Sequence, residues 1–224
     1  MNLPDRETAH QILAEAEARN PGPWAAHSRC AAQAAAILAG DHPQLDPEAA
    51  YVLGLLHDIG RREGVTAMRH ILDGYRYLED LGYSAAARIS LTHSYPIPDL
   101  KCAAGLWDAS EAEAQFVQDY LLRKPYDAYD HLIQLCDALS LPDGFCLIEK
   151  RIVDVALRYG VGPCSVARWQ RYFEIQAEFE RAIGHSIYAH LPGVVENTFA
   201  VLPNTGQAAA FQRPRGDGPS TPNP

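Results

Sequence analysis

Cysteine is scarce and scattered in this 224-residue chain. There are five, Cys30, Cys102, Cys136, Cys146 and Cys164, an odd number with no CxxC among them. That argues against a disulfide framework or a cysteine-rich zinc site, and the five are expected to be small buried hydrophobes. Long apolar runs are missing too: none approaches the ~18 residues a membrane helix needs. The opening MNLPDRETAHQILAEAEARN lacks the basic region and apolar stretch of a secretory signal, so a cytoplasmic protein is expected. Positive charge is short, with 19 Lys and Arg against 28 Asp and Glu and a net charge of −9. Such a surface repels phosphate backbones and argues against a nucleic-acid partner, while leaving room for a local basic pocket around one small anion. No strand-period segment of useful length and no internal repeat occurs.

What is present is helical periodicity. The apolar fraction of 47% and charged fraction of 21% are those of a globular chain. Ala9, Ile12, Leu13 and Ala16 mark a first helix, and Cys30, Ala31, Ala34, Ile37 and Leu38 a second ending near Gly40. Asp46-Pro47 is an N-cap followed by proline at the first helical position, opening a helix expected to run to Gly60. Further helices are predicted over about 66–81, from Ser84 to before Pro96, from a capping box at Ser110–Glu113, and over 127–141, 144–159 and 163–183. Segment 127–141 is apolar nearly all round and should be central. Trp169, Tyr172 and Phe173 read as core, and His42, His131, His185 and His190 as surface or core residues. The expectation is one all-α domain, a helical bundle over residues 1–202, followed by a disordered Pro/Gly-rich tail at 203–224.

Polar groups interrupt the apolar stripes. A His-Asp dipeptide alone says little, since about 0.6 would arise by chance at this composition, so placement has to carry the argument. His27 lies four residues before Ala31, His57 four after Leu53, His93 four after Ile89 and Asp137 four after Ile133. Each is thus on an inward face, and each comes from a different helix. A buried ionised carboxylate is costly unless paired or metal-bound, and Asp58 is expected in a last helical turn, where the macrodipole disfavours negative charge. A divalent cation removes both problems. Without one, Asp58 and Asp137 would repel, so deleting either should be neutral or stabilising in the metal-free protein. Imidazole and carboxylate donors suit Fe, Mn, Co, Ni or Zn rather than Ca or Mg.

The ordered set His27, His57-Asp58 and Asp137, with the segment LLHDIGRREG, resembles the HD superfamily of metal-dependent phosphohydrolases over about residues 24–140. The resemblance implies an all-helical domain holding one or two divalent ions. His70 and His93, the latter in THSYP, stand where two-metal members add two histidines. On that model His27, His57 and Asp137 hold the first ion, His70 and His93 the second, and Asp58 bridges them or orients a water. The activity implied is hydrolysis of a small phosphate ester such as a nucleotide or dinucleotide. A diiron oxygenase with the same ligands, or a regulatory module binding metal or nucleotide without turnover, are the alternatives. Arg61 is the leading substrate-phosphate candidate and is also placed at the catalytic centre, with Arg62 and Lys101 as further phosphate contacts and Glu63 as a candidate acid/base. Gly60 reads as a helix stop, and Gly74, at i+4 from His70, as a site of close approach. A homodimer is compatible with the sequence.

Overall fold

Local signals place most of the helices. In the computed structural model, which describes residues 1–199, α1 is Arg6–Arg19, α2 Pro23–Asp41, α3 Pro47–Leu56, α4 His70–Asp80 and α5 Ser84–Thr92. There follow α6 at Glu111–Arg123, α7 at Ala128–Ala138, α8 at Ile148–Tyr159, α9 at Ser165–Ile183 and α10 at Val194–Phe199. The fold is all-α. The one hairpin among the described residues, β1 (Ser140–Leu141) antiparallel to β2 (Gly144–Phe145), pairs Ser140 with Phe145 and turns the chain from α7 into α8. Asp46 accepts from Ala49 N with Pro47 behind it, as its sequence predicts. The capping box forms as well: Ser110 N donates to Glu113 at 2.8 Å, and Glu113 N returns a bond to the Ser110 hydroxyl at 3.3 Å. No described helix is long and apolar enough to cross a membrane.

Several expectations change. Helix α3 stops at Leu56 instead of Gly60, and a 3-10 turn takes over at Ile59–Glu63. Asp58 therefore sits in the break between the two and not in a last helical turn. Helix α4 starts at His70, not near Thr66. The cysteine reading holds for Cys30, Cys136 and Cys146, which are free and buried, but Cys102 and Cys164 form a disulfide. Their 62-residue separation hid the pairing, since only tertiary packing brings their Cα atoms to 5.2 Å. The helix over α7 is not purely apolar, because Asp130 and Gln134 are buried within it. The tail expected at 203–224 lies outside the described residues.

Close approach between helices is made by small residues. Helix α2 buries Ala25, Ala31, Ala32, Ala34, Ala35 and Ala39. It packs along α3, where a Cβ on Gly54 would meet Ala32 Cα at 2.8 Å. That contact sets the end of α3, and with it His57, beside His27 of α2, with ring centroids 5.3 Å apart. A second close approach joins the 3-10 turn to α4. A Cβ on Gly60 would lie 1.9 Å from His70 O and 2.4 Å from Gly74 N, and one on Gly74 2.1 Å from Ser90 Oγ. Gly60 is thus a packing position, and Gly74 allows the close approach its spacing predicts. Helix α5 is tied to α7 by polar bonds. Fully buried Asp130 is paired with Arg88 and accepts from Thr92 Oγ1 at 2.7 Å, while Gln134 donates to Thr92 O and Tyr95 O at 3.2 and 3.1 Å. These bonds satisfy a carboxylate that would otherwise be costly to bury, and they bring the end of α5 to α7.

Candidate metal centre

Six side chains meet where these close contacts converge. His27 projects from α2, His57 caps α3, Asp58 follows it, His70 opens α4, His93 caps α5 and Asp137 lies in the last turn of α7. Their donor atoms form three overlapping triads, each with all three atoms within 4.8 Å of one another: His27–His57–Asp58, His57–His93–Asp137 and Asp58–His70–His93. All but Asp137 are buried.

The tautomers are readable from geometry. Nδ1 of His57 donates to Gly54 O at 2.7 Å, Nδ1 of His70 to Ala67 O at 2.6 Å and Nδ1 of His93 to Ser90 O at 2.9 Å. A carbonyl only accepts, so the proton is on Nδ1 and each Nε2 presents a lone pair to the cluster. Two of those lone pairs face one carboxylate oxygen: His70 Nε2 is 3.2 Å and His93 Nε2 3.5 Å from Asp58 Oδ1. Acceptors facing an acceptor at these distances call for a proton or a metal ion between them, and the donor that His70 Nε2 meets is Arg61 Nη2, at 3.5 Å. A second proton on His70 is disfavoured, because burial and then Arg61 push its pKa below the usual value. His57 Nε2 and Asp58 Oδ1 are buried without a hydrogen-bond partner, and burial holds the His57 pKa at about 4. The donor set fits a divalent first-row ion, with the ring Nδ1 atoms oriented by backbone carbonyls as such ligands usually are.

The carboxylates are not without cations of their own. Arg61 Nε donates to Asp58 Oδ2 at 2.6 Å. Asp137 Oδ1 is 3.0 Å from His27 Nε2 and 3.4 Å from Arg151. Burial is the largest influence and acts to raise both carboxyl pKa values, but Arg61 together with the His70 and His93 contacts outweighs it at Asp58, and the His27 contact together with Arg151 and His57 outweighs it at Asp137, so both remain lowered. The expectation of two unbalanced carboxylates is therefore corrected: arginines neutralise them in the metal-free fold.

A cleft opens over the cluster. Its floor includes Asp58, Arg61, His70, His93 and Asp137, and its far wall is built from Arg151 and Arg158 of α8 and Arg168, Trp169 and Tyr172 of α9. A second cleft adjoins it over His27, Asn20 and Thr66, sharing Asp58, Arg61 and Arg151. Of the other residues singled out in the sequence, Arg62 stacks on the Tyr77 ring at 3.8 Å, Glu63 pairs with Arg19, and Lys101 borders a separate pocket beside Cys164. None of the three lines the two clefts. His185 and His190 pair with Asp41 in a partly exposed group.

The α8 and α9 wall escaped sequence reasoning: Trp169 and Tyr172 pack against the core as expected but also line the cleft, while Phe173, expected in the core, is exposed. A signal was there. Arg151 falls between Ile148 and Ile152 on the apolar face of α8, and Arg168 between Ser165 and Trp169 on the inner face of α9. A charge on an inward face is informative in a way that an exposed hydrophobe is not. A protein-family model described as HD domain matches residues 24–141, more than half of the chain and the segment that carries all six side chains. No curated protein and no solved structure gives a match.

Proposed function

Because the chain belongs to the HD domain family, we propose that it is a metal-dependent phosphohydrolase acting on a small phosphate ester such as a nucleotide or dinucleotide. The observation that carries this reading is the lone-pair arrangement: His57, His70 and His93, each locked as the Nδ1–H tautomer, converge on Asp58. His27, His57, Asp58 and Asp137 would hold one divalent ion, and Asp58, His70 and His93 a second. When bound, such ions lower the pKa of a water towards ~7 and polarise phosphoryl oxygens.

The chain's own residues do the rest. His57, its pKa held at about 4, is neutral near pH 7 and keeps its lone pair available. Arg61 holds Asp58 through Nε and reaches His70 Nε2 with Nη2 at 3.5 Å, which leaves Nη1 to donate to a phosphate oxygen in the cleft. Arg151 is placed to do the same beside Asp137. Fixed donors aimed at a transferring phosphoryl group stabilise the charge that spreads over its oxygens. The side chains of Trp169 and Tyr172 narrow the cleft and limit water around the reacting group.

The test is metal analysis of protein purified without chelator, followed by a screen of phosphate esters with and without Mn²⁺. The expected result is bound transition metal and hydrolysis that chelator abolishes. An oxidised-iron absorbance band with no hydrolysis would instead support the diiron oxygenase. Stoichiometric metal with neither activity would support a regulatory module.

A further inference from the structure

Arg168 is the least expected charge in the protein. It is the fourth residue of α9, only 6% exposed, and lines the cleft above the His/Asp cluster. Its one side-chain hydrogen bond among the described residues runs from Nη1 to Cys102 O, at 3.0 Å. No carboxylate pairs with it among the described residues, whereas in the same cleft Arg61 pairs with Asp58, Arg151 with Asp137 and Asp154, and Arg158 with Asp154. A buried guanidinium held by a single neutral acceptor is costly, and it keeps several donors unused. Residue 168 also lies beyond the matched family segment, so the feature belongs to this chain's own α8–α9 wall.

Its placement is built rather than incidental. The carbonyl that anchors it belongs to Cys102, which is bonded to Cys164, the residue just before α9. The disulfide thus ties the anchor and the helix carrying Arg168 together. The aspartates on the cleft floor are the candidate metal donors, and ions bound there would neutralise them and free Arg61 from Asp58, while Arg151 keeps its second partner, Asp154. The cleft is lined by four guanidinium groups, those of Arg61, Arg151, Arg158 and Arg168, in a chain whose net charge is −9. A concentrated positive site in an acidic protein selects for a ligand with more than one anionic group.

We propose that Arg168 forms a second anion subsite, and that the ligand of this cleft carries at least two phosphate groups, one at the His/Asp cluster and another on Arg168. The substrate class is then a di- or triphosphate-bearing molecule rather than a simple monoester. This inference rests on the phosphohydrolase reading for its catalytic meaning, but the binding it describes does not require turnover.

The experiment is calorimetric titration of the metal-loaded full chain with tripolyphosphate and with orthophosphate. Wild type should bind tripolyphosphate at least about tenfold more tightly. Arg168→Gln should remove most of that preference, and Arg168→Lys should restore part of it, because lysine keeps the charge and loses the planar fork. Should Arg168→Gln fail to fold, phenylglyoxal labelling of wild type gives an independent readout: tripolyphosphate should protect the peptide containing Arg168. Equal affinity for the two probes, an undiminished preference in a folded Arg168→Gln, or labelling of Arg168 unchanged by tripolyphosphate would each overturn the proposal. Phosphate release from a set of nucleoside di- and triphosphates by the Mn²⁺-loaded wild type is scored separately. Preference without hydrolysis upholds the subsite and removes the phosphohydrolase reading, while hydrolysis without preference does the reverse.

Discussion

Replacing Asp58 by Asn should destabilise the metal-free protein, opposite to what two unbalanced buried carboxylates would predict. Asp58 is 4% exposed and its Oδ2 accepts from Arg61 Nε at 2.6 Å. Breaking a fully buried ion pair by removing one partner costs about 3–5 kcal/mol, and an exposed pair is worth about 0–1 kcal/mol. The Arg61 side chain is 29% exposed, so water hydrates part of the orphaned guanidinium. An intermediate loss of roughly 2 kcal/mol follows. With metal at about 100 times its Kd, wild type gains about 2.7 kcal/mol that a variant unable to bind forgoes. The gap should therefore widen from roughly 2 to roughly 5 kcal/mol when chelator is replaced by metal. Urea unfolding followed by far-UV circular dichroism measures both, and the urea slope should not change. In chelator, a double-mutant cycle with Arg61→Gln should return a coupling of about 1–2 kcal/mol, because the two side chains touch. If Asp58→Asn unfolds in chelator at the same or a higher urea concentration than wild type, Arg61 does not balance Asp58 and the electrostatic argument fails.

Other consequences are separable from this one. His70→Ala should lower bound metal from near two ions per chain to near one with little loss of helicity, as read by elemental analysis. An unchanged metal content would place His70 outside the ligand set. Gly60→Ala sets a Cβ against His70 O and Gly74 N, backbone atoms that cannot swing aside. It should cost more than about 2 kcal/mol in urea unfolding, and a variant as stable as wild type would mean that the turn and α4 are not packed as described. Opening the Cys102–Cys164 bond, by reductant or by Cys164→Ser, should lower stability by up to about 4 kcal/mol for a loop of this length. A melting temperature indifferent to reductant would show that the bond does not constrain the chain.

Much of this protein is legible one helix at a time. Apolar residues at 3.6-residue spacing, the Asp46-Pro47 start and the Ser110–Glu113 box announce their helices because the interactions involved span only a few residues. The inward faces of His27, His57, His93 and Asp137 follow from the same periodicity, which is why the metal-competent set can be named from sequence. The exact break after Leu56 could not be, since it depends on Gly60 docking against the start of α4. What the sequence by itself determined is which side chains turn inward. Tertiary structure alone decided what they meet: Arg151 beside Asp137, Arg88 on Asp130, Cys102 bonded to Cys164, and Arg168 facing the cleft without an acid. Those pairings join residues 14 to 62 positions apart, and their energy exists only after the helices have packed, so no local pattern in the chain records them.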